Sequence, residues 1–146
     1  MENEEWTDIP SIPGAKASSF GRVLFPPPEQ PTRMPLGGFR LYKTKPIYGS
    51  EEKSASGRAD SGRRMITRWR NKTYKIHILV CEAFHGPKPF YNAIVLHGNE
   101  EPTDNRPENL SWGTRKQNQN FPKANAAFRA RTGENSCWAI HRKKKP

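Results

Sequence analysis

Apolar residues come in short runs, separated by turn residues, through the first half of the chain. EEWTDIPSIPGAKASSFGRVLF (4–25) is broken at Pro10, Pro13, Gly14 and Gly21 into short extended pieces. Within it, Phe20-Gly21-Arg22-Val23 predicts a turn leading into a strand. PPPEQPTRMP (26–35) reads as an extended connector that cannot continue a sheet ladder, because proline lacks the N–H. GGFRLYKT (37–44) alternates as a strand does, and YGSEEKSASGRADSGRR (48–64), poor in apolar residues, reads as a mobile loop. MITRWRNKTYKIHI (65–78) alternates apolar with basic residues about Asn71-Lys72, which predicts a β-hairpin with one basic face.

The period then changes. In HILVCEAFHG (77–86), Ile78, Leu79, Ala83 and Phe84 suit a short helix against a core, stopped by Gly86 and Pro87. NAIVLH (92–97) predicts a strand, GNEEPTDNRPEN (98–109) a long loop and LSWGT (110–114) a second strand. Thr114 can N-cap a helix beginning RKQNQNFPKANAAFRAR, with Pro122 kinking or interrupting it. No internal repeat is visible. The pattern is that of an α+β protein in three parts: a small β-rich segment (1–76), a strand-loop-strand-helix unit (77–120) and a C-terminal extension (121–146).

Charge sharpens this division. The chain carries a net +11 with a pI near 10, which points to a polyanionic partner. Residues 32–76 hold 12 basic and 3 acidic side chains, and residues 113–146 hold 9 and 1. The asparagine-rich stretch between them, 77–112, holds 2 basic against 5 acidic. Two basic blocks flanking an acidic centre favour nucleic acid. A membrane partner is not expected, because no long apolar segment and no basic amphipathic helix is present. Only 33% of residues are hydrophobic, with 14 Pro and 11 Gly, so the core must be small. Cys81 and Cys137 form neither a CxxC site nor a disulfide framework, so no structural zinc is expected. The acidic start MENEEW does not read as a signal peptide, and a cytoplasmic location is the expectation.

The central unit carries the chemistry. A strand-loop-strand-helix unit can bring His97, Asn109 and Asn118, separated by 12 and 9 residues, to one point. A neutral imidazole can take a proton from water near neutral pH. An amide oxygen can fix the tautomer of that imidazole, or ligate Mg²⁺, which prefers oxygen and completes its shell with water and phosphate. Those are the requirements of phosphodiester hydrolysis.

VLHGNEEPTDNRPENLSWGTRKQN resembles the core of HNH nucleases, the ββα-metal or His-Me finger fold, in the form carried by phage and intron-encoded homing endonucleases. YKIHILVCEAFHGPKP resembles that family's lead-in, and EEWTDIPSI…ASSFGRV is similar to the small DNA-binding module that often precedes it. GENSCWA (133–139) faintly resembles the start of a further DNA-binding helix motif. The resemblance implies a Mg²⁺- or Mn²⁺-dependent endonuclease acting on double-stranded DNA, with no small-molecule substrate, in a phage-infected or bacterial cell. It makes His97 the general base, Asn109 the residue that orients it and closes the loop, and Asn118 the cation ligand. Trp112 takes a core position. Where the family often has an Asp or His ligand before the base, this chain has Leu96; His77, Glu100, Asp104, or phosphate and water, are the candidate replacements.

His77 otherwise reads as a structural histidine beneath the helix, and Cys81 as core. Duplex contacts are expected from Arg68, Arg70, Lys72 and Lys75 of the hairpin, since a two-stranded ribbon fits the major groove. Arg115 and Lys116 of the following helix, and Arg129 and Arg131 with the basic tail beyond them, are expected to add phosphate contacts. Two rival readings stand beside this one: a non-catalytic DNA-binding protein on a decayed nuclease core, favoured by Leu96, and an RNA-binding protein, favoured by charge alone.

Overall fold

The turn-forming residues of the first segment set its strands. A computed structural model of the protein describes residues 3–53 and 63–122. β1 (Trp6–Asp8), β2 (Lys16–Ser18) and β3 (Val23–Leu24) form an antiparallel sheet in that order. Gly14 and Gly21, with φ of +80° and +79°, supply the left-handed backbone between them. The proline-rich connector departs from expectation: β4 (Thr32–Arg33) pairs with β5 (Phe39–Arg40) in a short ribbon. Thr32 and Arg33 lie between Pro31 and Pro35 and retain the N–H groups a ladder requires. The strand expected over 37–44 shrinks to Phe39–Arg40.

β6 (Ser50–Glu51), inside the stretch read as a loop, joins β7 (Met65–Trp69), which pairs with β8 (Lys72–Lys75). Residues 54–62 of that stretch lie outside the described residues. The hairpin is present, but its turn is Arg70-Asn71, one residue earlier than expected. Both residues have positive φ, +46° and +62°, as a two-residue I′-type turn requires. That turn fixes the register, and the register overturns the single basic face. Ile66 opposes Lys75 and Arg68 opposes Thr73 on one face, whereas Trp69 opposes Lys72 and Thr67 opposes Tyr74 on the other. Arg68 and Lys75 therefore point away from Lys72. Arg70 instead lies over the Trp69 ring at 4.5 Å, and Lys72 over Tyr74 at 5.3 Å.

β8 runs directly into α1 (Ile76–His85), so the helix starts one residue before the periodic signal. Ile76, Leu79, Val80 and Cys81 of its buried face join Ile9, Ile12, Ala17, Val23 and Phe25 of the first segment in one core. Phe25 also stacks on Trp69, with ring centroids 5.1 Å apart. The expected segment boundary at residues 76 and 77 thus falls inside one continuous core. Gly86, at φ +82°, ends α1 where Pro87 bars its continuation.

β9 (Ile94–His97) and β10 (Leu110–Gly113) pair antiparallel, with His97 opposite Leu110. A 3₁₀ turn, Pro107–Asn109, leads into β10. Thr114 caps α2 (Arg115–Gln119) through a full capping box with Gln117. α2 ends ahead of Pro122, where an interruption was expected, because proline disfavours helical backbone in the residue before it. The remainder of the expected helix, with Arg129 and Arg131, lies outside the described residues. Among the described residues no helix is long and apolar enough to cross a membrane.

Two hydrogen bonds tie α1 to the β9–β10 unit. The His85 Nε2 donates to the Pro107 carbonyl at 2.7 Å, and the Trp112 Nε1 donates to the Gly86 carbonyl at 2.9 Å. His85, which carried no motif in the sequence, therefore holds the 3₁₀ turn against the helix. That carbonyl also accepts from the Leu110 N–H, so His85→Ala is expected to remove one of its two bonds and to cost about 1 kcal/mol. A shifted urea midpoint at unchanged m-value is the check; an unchanged midpoint would show water replacing the imidazole without loss.

Candidate active site

His97 closes β9, and the chain after it is folded back by its own amides. The Gly98 N–H donates to the Asn109 carbonyl at 2.8 Å, which holds the loop's start to its end. The Asn109 side chain accepts from the Asn99 N–H and donates to Asn99 Oδ1 and to the Asp104 carbonyl, each at 2.9 Å. Asn109 thus closes the loop, as expected. The structure does not place its side chain on His97, however, because all of its hydrogen bonds run into the loop.

Asn105 occupies that place. It is only 5% exposed, and its Oδ1 faces the His97 Nε2 at 3.4 Å. An amide oxygen accepts only, so Nε2 carries the proton and Nδ1 keeps the lone pair. Burial lowers the pKa of His97 below the ordinary imidazole value, and Arg64 adds to this. The Asn105 bond, Asp104 and Glu101 act in the opposite sense. The result is a half-buried imidazole that favours its neutral form.

Leu96 faces away from His97, as alternation along a strand demands. It is 7% exposed and packs on Gly113, where an added Cβ would stand 2.3 Å from its Cδ1. The position where a metal ligand was expected therefore belongs to the core.

His97 and Asn118 line the same cleft of about 790 Å³, together with His77 and Glu100. Arg64, Lys75, Lys88 and Arg115 also line it, so four cations surround the imidazole and the amide. Of the expected DNA contacts, Lys75 and Arg115 reach this cleft. Arg68, Arg70, Lys72 and Lys116 are exposed but do not line it. Sequence reasoning missed Arg64, the last residue of the stretch read as a loop, Lys88, in the turn after α1, and Asn105, which has no periodic signature.

A hard divalent cation needs one or two protein oxygens and fills its shell with water and phosphate. Asn118 and Glu100 offer such oxygens to the cleft and fit that requirement. Asp104 does not: Arg106 grips its carboxylate through two bonds of 2.9 Å, Asn99 adds a third, and its pKa falls to about 2. Among the described residues no group of three His, Cys, Asp or Glu could hold a metal by itself.

A loop closed by its own amides over a strand-end histidine, with an amide-bearing helix beside it, thus faces a basic cleft. Residues 74–120, a span of less than half the chain, match the family model of HNH endonucleases. The match falls on the segment whose motif resembles that family's core. Among solved structures, the chain is similar to one of DNA binding and cleavage by the HNH homing endonuclease I-HmuI. The likeness has 21% identity and a TM-score of 0.47, and covers 90% of this chain and 68% of that one. No curated protein matches the chain.

Proposed function

We propose that the protein is a divalent-cation-dependent DNA endonuclease of the homing type, in which His97 activates water against a phosphodiester. The observation that carries this reading is one cleft lined by His97, Asn118 and four cations. The cations bind a polyanion by displacing its counterions, a contribution that falls with salt. His97, neutral and with Nε2 bound to Asn105, presents Nδ1 as the base. Asn118 and Glu100 would hold Mg²⁺ or Mn²⁺, which when bound supplies charge stabilisation for the phosphoryl group and the leaving 3′ oxygen. Asn109 keeps the loop closed, so that Asn105 stays against the ring.

The test is relaxation or linearisation of supercoiled plasmid DNA with Mg²⁺, with Mn²⁺ and with EDTA. Metal-dependent cutting supports the reading; a folded protein that shifts DNA carrying its target site yet never cuts it would return the decayed-core alternative.

The pH dependence follows from the lowered pKa of His97. A base with depressed pKa stays unprotonated below pH 6.5, so the acid limb of kcat/KM is expected below that value. Asn105→Ala removes a contact that raises this pKa. The limb should therefore move further toward acid, while the rate falls roughly 10–100-fold through loss of ring orientation. A limb that moves upward would contradict the assignment.

A further inference from the structure

His77 is 5% exposed and sits in the first turn of α1, yet it lines the cleft. Its ring centroid lies 5.3 Å from that of His97, tilted by 59°. Nδ1 is sealed within the protein without a hydrogen-bond partner, and no described residue bonds Nε2. A histidine serving only to support the helix would be expected to have a partner for at least one nitrogen.

The two nitrogens differ in what they can tolerate. A neutral imidazole has one N–H and one lone pair. A sealed N–H without an acceptor is the rarer orphan, so the lone pair belongs on Nδ1 and the proton on Nε2, at the cleft. The ring remains uncharged, because burial first, then the neighbouring His97, Arg64 and Lys75, push its pKa down to about 3.

We propose that His77 is a further catalytic residue whose Nε2–H donates a hydrogen bond to a non-bridging oxygen of the phosphodiester in the cleft. The inference rests on the nuclease reading. In the step it assists, the water oxygen forms a bond to phosphorus and its proton passes to His97 Nδ1. The bond from phosphorus to the 3′ oxygen breaks, its electron pair leaves with that oxygen, and solvent protonates it. His77 keeps its proton throughout. A fixed neutral donor acts where charge accumulates on the phosphoryl oxygens, without reorganising.

The full-length protein, ¹⁵N-labelled at histidine, tests this by NMR with a short target duplex in EDTA, which blocks cutting. The expected result is a neutral Nε2–H tautomer of His77 from pH 5 to 8 whose ring nitrogens shift when duplex is added. In parallel, His77→Phe should lower cleavage by about 100-fold. Duplex Kd should weaken far less, by about threefold for one lost hydrogen bond; the half-saturating Mg²⁺ concentration should not change, and His77→Gln, which retains an N–H donor, should recover roughly tenfold of the loss. A charged or Nδ1–H ring at pH 6, no response to duplex, or full activity in His77→Phe would overturn the proposal. A raised Mg²⁺ requirement in His77→Phe would also overturn it, by making His77 a cation ligand. Should the wild type shift its ring signals but cut no DNA, the nuclease reading and the catalytic role both fall, and a binding contact to phosphate remains. If His77→Phe fails to fold, the NMR measurement on the wild type still decides.

Discussion

Replacing His97 with alanine is expected to abolish metal-dependent cutting of plasmid DNA while leaving duplex affinity within about twofold of wild type. Loss of a general base costs roughly 10²–10⁴ in rate. Affinity should persist because the charges facing the cleft belong to Arg64, Lys75, Lys88 and Arg115, and His97 itself favours the neutral form. Cleavage and gel-shift titrations on one preparation separate the two quantities. Binding lost in step with cleavage would make His97 a structural support of the cleft. Unchanged function would favour a DNA-binding protein on a decayed core.

The second large effect is expected far from the imidazole in sequence. At Gly21, φ +79°, an added Cβ would stand 2.8 Å from the backbone C and O of Asn105. Backbone cannot rotate away as a side-chain tip can. Gly21→Ala should therefore combine left-handed strain of about 1–2 kcal/mol with displacement of the loop that holds His97. A total of about 2–4 kcal/mol, or a fall in Tm of roughly 6–12 °C, is expected, with cleavage reduced as Asn105 shifts. Gly37→Ala is the control: its φ is +92°, but nothing lies within 4 Å of an added Cβ, so strain acts alone. Equal losses at both positions would remove the close approach as the cause.

The elements that the sequence made legible are those with a local cause. Thr114 announces a helix start, Gly86-Pro87 a helix stop, and the short apolar run in NAIVLH a strand. His97, Asn109 and Asn118 were assigned to strand, loop and helix, and the structure places them on β9, the 3₁₀ turn and α2. What escaped was set by register or by distant contact. The hairpin's basic residues divide between two faces because of a one-residue difference in turn position. Asn105 reaches His97 because Asn99, Asp104 and Asn109 fold the loop on itself, and no spacing rule encodes that network. Arg64 and Lys88 come to the cleft from either side of α1, a placement that follows from the packing of the helix.

The core shared between the first sheet and α1 has an evolutionary consequence. Ile9, Ile12, Val23 and Phe25 are covered by Ile76, Leu79 and Val80, so neither half has a complete hydrophobic interior. Recombination that exchanged the first 25 residues alone would bring an unmatched apolar surface to the helix and strand both. Inherited change of target preference should therefore come by point substitution at the exposed basic positions, or by transfer of the sheet and α1 as one block. Hydrogen exchange offers a present-day sign of that history: the amides of Val23 and Val80 should open together, in a single cooperative event.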